Sequence, residues 1–169
     1  DWSSDVCSSD LGNLTETIVG TFRERVTYAV ESRVATITLD RAERLNAFDG
    51  AMYEGINDAL VAFRDDDNAW AAVIQAAGTR AFSAGADVHA LNENARLGIT
   101  TGLGSLLLDS DMVTDKPLIA AVQGHCVGEG VNLILGCDVV FADTTARFVF
   151  SEVRIGVNPV DIPLKLARR

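Results

Sequence analysis

Residues 116–136, KPLIAAVQGHCVGEGVNLILG, decide the fold that we predict for this chain. Pro117 leads into an apolar run of strand length, and the small-residue GEG turn (residues 128–130) separates it from a short apolar segment that resembles a helix. An apolar run between proline and glycine is typical of a strand buried on both faces of a parallel sheet. Residues 73–87 repeat the design and end in the AGAD turn (residues 84–87). The two segments therefore predict strand–turn–helix units.

The remainder of the chain fits an α/β domain with a largely parallel sheet. Residues 25–41 alternate between apolar and polar on both sides of Glu31-Ser32-Arg33, which predicts a β-hairpin. Asp49 is placed to cap a helix that runs to about Asp65, because apolar residues recur there at spacings of three and four. Since strands alternate with helices, the sheet is expected to be mostly parallel. Further strands are predicted at residues 69–78, 137–143 and 146–150.

Composition limits the classes of function. A chain of 169 residues is long enough for one domain with a sizeable core. Its formal charge of −10 argues against a general nucleic-acid surface, and no apolar run approaches the roughly 20 residues of a membrane helix. The two histidines and three cysteines form no CxxC pair and no zinc-type ligand set. We therefore expect an acidic cytoplasmic protein without a metal site.

The two ends of the chain differ from this domain. Residues 1–11, DWSSDVCSSDL, resemble the translated read-through of a common sequencing adapter, and we leave them out of the fold prediction. At the other end, LKLARR stops within a predicted helix that has no terminating residue. We expect a gene fragment in which residues 12–169 form an incomplete domain.

The two small-residue turns point to a common chemical role. Backbone N–H groups at the start of a helix have no intrahelical acceptor and favour negative charge. Adjacent parallel strands would bring the turns together, so that two N–H groups could hold one oxygen atom as an oxyanion hole. A dinucleotide-binding turn fits less well, because G-x-G-x-x-G would need glycine where Leu133 stands, and no phosphate-loop Gly-Lys-Ser/Thr is present. The remaining alternative is that the glycines only permit tight turns.

Three motifs in order resemble the enoyl-CoA hydratase/isomerase (crotonase) family. They are RLNAF at residues 44–48, RAFSAGADVHAL at residues 80–91, and residues 116–156 from KPLIAAVQG to FSEVRIG; the similarity runs from about Val26 to the end. The resemblance implies a spiral of ββα units, with residues 12–169 as the acyl-CoA-binding catalytic core that lacks its C-terminal helical part. It also implies a homotrimer or dimer of trimers, an acyl-CoA thioester substrate, and no cofactor besides the coenzyme A of that substrate.

The resemblance assigns roles to both turns. The N–H groups of Ala86 and Glu129 are expected to hold the thioester oxygen, although Glu129 stands where the family usually has glycine. If that position needs a positive φ, the glutamate carries strain. The side chain of Asp87 is expected to cap the following helix rather than to act as an acid. The residues expected to line the nucleotide and pantetheine are Ala47, Ala84, Gly85, Asp87 and Gly128.

Hydration of an enoyl thioester needs a water activated at C3, a proton delivered at C2 and a stabilised enolate-like oxygen. The resemblance maps the later of the two family glutamates onto Glu152, as a general acid/base whose pKa is set by burial and neighbours. Without the resemblance, a solvated glutamate at a helix start is the simpler interpretation. The earlier glutamate falls on Asn132, which can orient a water but cannot transfer a proton at neutral pH.

Three hypotheses for function follow. In the leading one, a 2-enoyl-CoA hydratase works mainly through Glu152 while Asn132 orients the water. In the second, an enoyl-CoA isomerase moves a proton between C2 and C4 with Glu152 alone. In the third, a paralogue keeps the acyl-CoA-binding turns and has lost the chemistry.

Overall fold

Two β-sheets and four α-helices form the part of the chain that the computed structural model describes, namely residues 18–99, 102–109, 112, 114–150, 152 and 161–168. The prediction for residues 1–11 lies outside them. The strands of the larger sheet are Ile18–Phe22 (β1), Val26–Glu31 (β2), Val34–Leu39 (β3), Ala71–Ala76 (β4), Leu118–Val122 (β6) and Val139–Ala142 (β8). Those of the smaller sheet are Ala81–Ser83 (β5), His125–Val127 (β7) and Arg147–Val149 (β9).

The larger sheet is antiparallel at one side and parallel at the other. Its order is β1-β2-β3-β4-β6-β8; β1 to β3 pair antiparallel, and every pairing from β3 onward is parallel. The predicted hairpin is β2 and β3, in which Glu31 pairs with Val34 across a two-residue turn. Ser32 and Arg33 both have positive φ, 51° and 68°, as the right-handed strand twist requires of such a turn. Strand β1 was not predicted.

The first helix, Gly50–Asp65 (α1), confirms the prediction for this segment. The Asp49 carboxylate accepts a hydrogen bond from the Met52 N–H at 2.8 Å and so caps the helix. The apolar stripe of α1 is fully buried and packs on β1, β2 and β3. The other helices are Val88–Arg96 (α2), Glu129–Leu135 (α3) and Asp161–Leu166 (α4).

The strand–turn–helix prediction was incomplete, because a short strand of the smaller sheet lies between each buried strand and its helix. The units are therefore β4-β5-α2 and β6-β7-α3, which is the ββα repeat implied by the family resemblance. Both added strands have three residues, too few for an alternating pattern to be visible in the sequence. Gly124 lets the chain pass from β6 to β7: its φ is +61°, and a β-carbon there would overlap the Arg80 carbonyl group.

The core contains residues of the larger sheet, α1 and α3, and includes the fully buried Phe48 and Phe82 at the AGAD turn. The small sheet therefore holds both turns against a packed interior. Among the described helices, none has both the length and the apolar character to cross a lipid bilayer.

Candidate active site

The AGAD turn is joined by backbone hydrogen bonds to the segment that contains Ala47. The Ala84 N–H donates to the Leu45 carbonyl at 2.9 Å, and the Phe48 N–H donates to the Gly85 carbonyl at 2.8 Å. Ala47 itself is buried. The structure thus brings the first two sequence motifs, which lie about 40 residues apart, into one short ladder.

Asp87 caps α2, as predicted, and also forms an ion pair. Its carboxylate accepts hydrogen bonds from the His89 N–H at 3.0 Å and the Ala90 N–H at 3.2 Å. The Arg41 guanidinium donates to it at 2.8 Å and to the Ala47 carbonyl at 3.0 Å. Burial favours the neutral acid, but the hydrogen bonds from Arg41 and from the backbone outweigh burial and hold the pKa of Asp87 below its usual value. Asp87 is therefore a charged, fixed anchor of the turn.

The AGAD and GEG turns touch each other. Gly85 has a φ of +86°, and a β-carbon there would lie 3.0 Å from the Val127 carbonyl oxygen and 3.7 Å from the Glu129 nitrogen. Gly128 also has positive φ, +48°, whereas Glu129 is the first residue of α3. The left-handed position in the GEG turn is therefore Gly128, and Glu129 carries no strain of that kind.

Two backbone N–H groups of these turns lie outside the local hydrogen-bond ladders. Phe48 pairs in parallel with Ala86, using the carbonyl of Gly85 and the N–H of Asp87 on either side of it. The N–H of Ala86 itself therefore points away from Phe48. Glu129 opens α3, so its N–H has no acceptor within the helix. Both donors belong to turns that are in van der Waals contact.

A polar cluster lies beside the GEG turn and consists of Tyr53, Asp109, Glu129, Asn132 and Lys165. The Asn132 side-chain nitrogen donates to Glu129 Oε1 at 3.0 Å and approaches the two Asp109 oxygens at 3.3 and 3.4 Å. Lys165 Nζ donates to Asn132 Oδ1 at 2.6 Å and forms an ion pair with Asp109. Asn132 is 6% exposed. The cluster thus joins α1, α3, α4 and the turn Leu107–Asp109.

Electrostatics in the polar cluster favours the protonated forms of Glu129 and Tyr53. Burial raises the pKa of Glu129, and the charge of Asp109 raises it further. The hydrogen bond from Asn132, the charge of Lys165 and the hydrogen bond with Tyr53 lower this pKa. The net effect is a raised pKa. Burial also raises the pKa of Tyr53, helped by the charge of Glu129 and the hydrogen bond to it. The Tyr53 hydroxyl is therefore a neutral donor to the Glu129 carboxyl group.

Glu152 lies against the GEG turn. Its Oε1 lies so close to Gly128 that a β-carbon on that residue would collide with it. Its Oε2 is buried and has no hydrogen-bond partner among the described residues. A buried oxygen without a partner costs about 1–3 kcal/mol, and such groups are found where a ligand or a reaction uses them. This position does not fit the solvated glutamate that the sequence alone would favour.

Sequence reasoning identified the two turns, Asn132 and Glu152, and it missed Arg41, Tyr53, Asp109 and Lys165. The structure brings all of the predicted residues to the two touching turns or their immediate neighbours. Each missed residue has a partner in the site that lies more than 20 positions away: Arg41 contacts Asp87 across 46 positions, and Lys165 contacts Asp109 across 56. The sequence pattern around them contains no local signal, since a charged or phenolic side chain in a helix or loop is ordinarily solvated.

The ββα repeat and the paired turns define a class of fold that solved structures share. A putative enoyl-CoA hydratase/isomerase (crotonase) from Legionella pneumophila superimposes with a TM-score of 0.75 at 34% identity, over 85% of this chain and 57% of that one. A carnitinyl-CoA dehydratase from Mycobacterium avium superimposes with a TM-score of 0.69 at 32% identity, over 80% of this chain and 53% of that one. The chain is therefore similar in backbone to proteins of that class.

The sequence comparisons identify the family. The profile of the "Enoyl-CoA hydratase/isomerase" family matches residues 29–168. A probable enoyl-CoA hydratase from Rhizobium meliloti is 37% identical over 139 residues, which cover 80% of this chain and 52% of that protein. A short-chain-enoyl-CoA hydratase from Clostridium acetobutylicum is 32% identical over 131 residues, which cover 76% of this chain and 50% of that protein. The chain belongs to the enoyl-CoA hydratase/isomerase family, and it spans about half the length of the curated relatives it matches.

Proposed function

We propose that the full-length protein is an enoyl-CoA hydratase, which adds water across the double bond of a 2-enoyl-CoA thioester. The observation that carries the proposal is the buried Oε2 of Glu152, which has no hydrogen-bond partner among the described residues. It lies beside two turns whose Ala86 and Glu129 N–H groups are outside the local hydrogen-bond ladders. The names of the Rhizobium and Clostridium relatives support hydration as the reaction.

In this proposal the two turns bind the thioester. The N–H groups of Ala86 and Glu129 donate to its oxygen, and their stabilisation grows as negative charge develops there in the enolate-like transition state. The nucleotide and pantetheine lie along the ladder between the AGAD turn and the Ala47 segment. The residues that line them are Ala47, Ala84, Gly85, Asp87 and Gly128.

Glu152 is the proton-transfer group in this proposal. Water loses a proton to the Glu152 carboxylate as its oxygen bonds to C3, and the electron pair of the double bond shifts toward the thioester oxygen. C2 then takes a proton that comes, in net, from the Glu152 carboxylic acid, so that the carboxylate is restored and one water has been added. A buried carboxylate oxygen that has no partner among the described residues is placed to bind that water. Glu152→Gln keeps the shape and removes the proton transfer, so turnover is expected to fall by at least about 100-fold.

A second candidate, enoyl-CoA isomerase, is favoured by one specific observation. Asn132 stands where the family resemblance maps the earlier glutamate, and both of its amide hydrogens point at carboxylates within the polar cluster. A 1,3-proton shift between C2 and C4 needs a single base, for which Glu152 alone is sufficient.

The test uses the full-length gene product, without residues 1–11, incubated separately with a 2-enoyl-CoA and a 3-enoyl-CoA. Mass spectrometry is expected to show a gain of one water from the 2-enoyl substrate. Conversion of the 3-enoyl thioester to its 2-enoyl isomer without added mass would favour the isomerase. Binding without turnover in either tube would favour the non-catalytic paralogue. Glu54→Gln is the matched control for Glu152→Gln, because Glu54 lies in an exposed ion pair with Arg23.

We further propose a homotrimer or a dimer of trimers and a cytoplasmic location. The family resemblance supports the assembly. Phe141, Phe148 and Phe150 are 67, 45 and 47% exposed in the described part of the chain, and they form a surface for another element, either a second copy or a further part of the full-length protein. No cofactor besides the coenzyme A of the substrate is required by this chemistry.

A further inference from the structure

We infer that Glu129 supplies the second catalytic carboxylate of the hydration reaction and that Asn132 serves to position it; this inference rests on the proposed hydratase function. The starting observation is the occupation of the Asn132 side chain. Its nitrogen donates to Glu129 and lies against Asp109, while its oxygen accepts from Lys165. A primary amide has two hydrogens, and here both are directed at carboxylates. The buried Asn132 side chain therefore joins Glu129, Asp109 and Lys165 by hydrogen bonds.

The Glu129 carboxylate lies one hydrogen bond from the position where the family resemblance places the earlier glutamate. Residues three apart on a helix share a face, so the side chains of Glu129 and Asn132 in α3 point the same way. The measured contact agrees, with Glu129 Oε1 3.0 Å from Asn132 Nδ2. Relative to the pattern that the family resemblance implies, the chain has lost a carboxylate at 132 and gained one at 129, so this face of α3 keeps a single carboxylate.

Glu129 is also adjacent to the proposed thioester site. Its own N–H is one of the two proposed oxyanion donors, and its nitrogen is 3.7 Å from the β-carbon position of Gly85. The residue before it, Gly128, is in contact with Glu152 Oε1. The proposed thioester site therefore borders Glu152 on one residue of the GEG turn, Gly128, and Glu129 on the next.

The surroundings of Glu129 suit a group that donates a proton. Four neighbours face its carboxyl group: Tyr53 from α1, Asp109 from its turn, Asn132 from its own helix and Lys165 from α4. Burial and the negative Asp109 favour the protonated acid, and the net pKa is raised. Asn132 and Tyr53 hold the group in one orientation by hydrogen bonds, which is the role of positioning residues.

The proton balance of the reaction closes with these two carboxyl groups. Glu152 takes one proton from water as the water oxygen bonds to C3 and the double-bond electron pair moves to the thioester oxygen. As this enolate collapses, C2 takes the proton of the Glu129 carboxyl group. A proton then passes from Glu152 to Glu129 through solvent, which restores both groups, so that the net addition is one H and one OH.

The experiment compares Glu129→Gln with wild type in the full-length protein, with a 2-enoyl-CoA as substrate. Glutamine keeps the backbone N–H and the bond from Asn132 but cannot transfer a proton. The expected result is a fall in kcat of at least about 100-fold with KM within about threefold, while the melting temperature is unchanged or higher. Glu54→Gln on the exposed face of α1 is the matched control and is expected to hydrate at the wild-type rate.

A relocation variant separates chemistry from structure. Glu129→Gly is expected to be as slow as Glu129→Gln. The double variant Glu129→Gly/Asn132→Glu is expected to have a kcat at least about tenfold above that of Glu129→Gly, because the carboxylate returns to the same face of α3. Wild-type rates in Glu129→Gln would overturn the role of Glu129. If Glu152→Gln is inactive while Glu129→Gln is normal, the hydratase proposal stands and this inference fails. If wild type does not hydrate the substrate, both fail.

Discussion

Gly85→Ala tests whether close contact between the AGAD and GEG turns builds the site. The added methyl group meets two separate penalties. The backbone at Gly85 has a φ of +86°, where an L-residue costs about 1–2 kcal/mol. The β-carbon would lie 3.0 Å from the Val127 carbonyl oxygen, and overpacking of this kind costs typically about 1–3 kcal/mol. The expected loss in the free energy of unfolding is therefore about 2–5 kcal/mol.

Gly98→Ala is the matched control for the conformational part. Gly98 has a φ of +73°, close to that of Gly85, but a β-carbon there meets nothing within 4 Å. It follows α2 and lies away from the two turns. Its substitution is expected to cost only the backbone penalty of about 1–2 kcal/mol, and it should leave turnover unchanged.

The assay is a pair of measurements on each variant: chemical denaturation for stability, and hydration of a short 2-enoyl-CoA for activity. In Gly85→Ala, relief of the contact with Val127 moves the Ala86 and Glu129 N–H groups apart. Misplacing one such donor costs about 100- to 1,000-fold in kcat. If Gly85→Ala loses no more stability than Gly98→Ala and keeps the wild-type kcat, the reasoning about touching turns is refuted.

Two further predictions concern how the site is held together. Asn46→Ala should cost about 3 kcal/mol or more by chemical denaturation, because the fully buried Asn46 donates to the Ala77 and Ala81 carbonyls at 3.0 and 3.1 Å. Asn68→Ala, at an exposed position, should lower the free energy of unfolding by less than about 0.5 kcal/mol. If Asn46→Ala and Asn68→Ala lost the same stability, the structural role of the buried Asn46 would be contradicted. Asp87→Asn keeps a helix cap but removes the ion pair with Arg41, at a cost of about 2 kcal/mol at pH 7. Since the pKa of Asp87 is lowered in the folded state, that stabilisation is present above about pH 4 and is lost as the pH falls through the folded-state pKa. If wild type and Asp87→Asn differ in free energy of unfolding by the same amount at pH 7 and pH 3, the ion pair is contradicted.

The elements that the sequence predicted correctly are those whose signals are local. Hairpin β2-β3 shows alternation on both arms and a two-residue turn, and α1 combines a capping Asp49 with an apolar stripe, so neighbours along the chain are sufficient to specify both. The same holds for the two turns, since small residues between a buried strand and a helix require a close backbone approach to something.

The features that could not be predicted depend on distant contacts. Strands β5 and β7 are specified by pairing with each other and with β9, and three residues are too few to display a period. The hydrogen-bond partners of Asn132 could not be predicted from the sequence either. The family resemblance suggests a water-holding amide at this position. Only the positions of Glu129 and Asp109 show where its hydrogens point, and Lys165 occupies its oxygen.

The family resemblance implies glycine at position 129 and glutamate at position 132, and in the proposed mechanism the two departures from that pattern act as a single change. Gly128 takes the left-handed conformation of the turn, so position 129 is free to hold a side chain without backbone strain. A glutamate at both positions would place two carboxylates within one helical turn and beside Asp109, where like charges in a buried cluster oppose each other. An asparagine at 132 removes that repulsion and provides the N–H donor that fixes Glu129. The departure at each position is therefore compensated by the other, which is the reason to expect chemistry, rather than its loss, at this site.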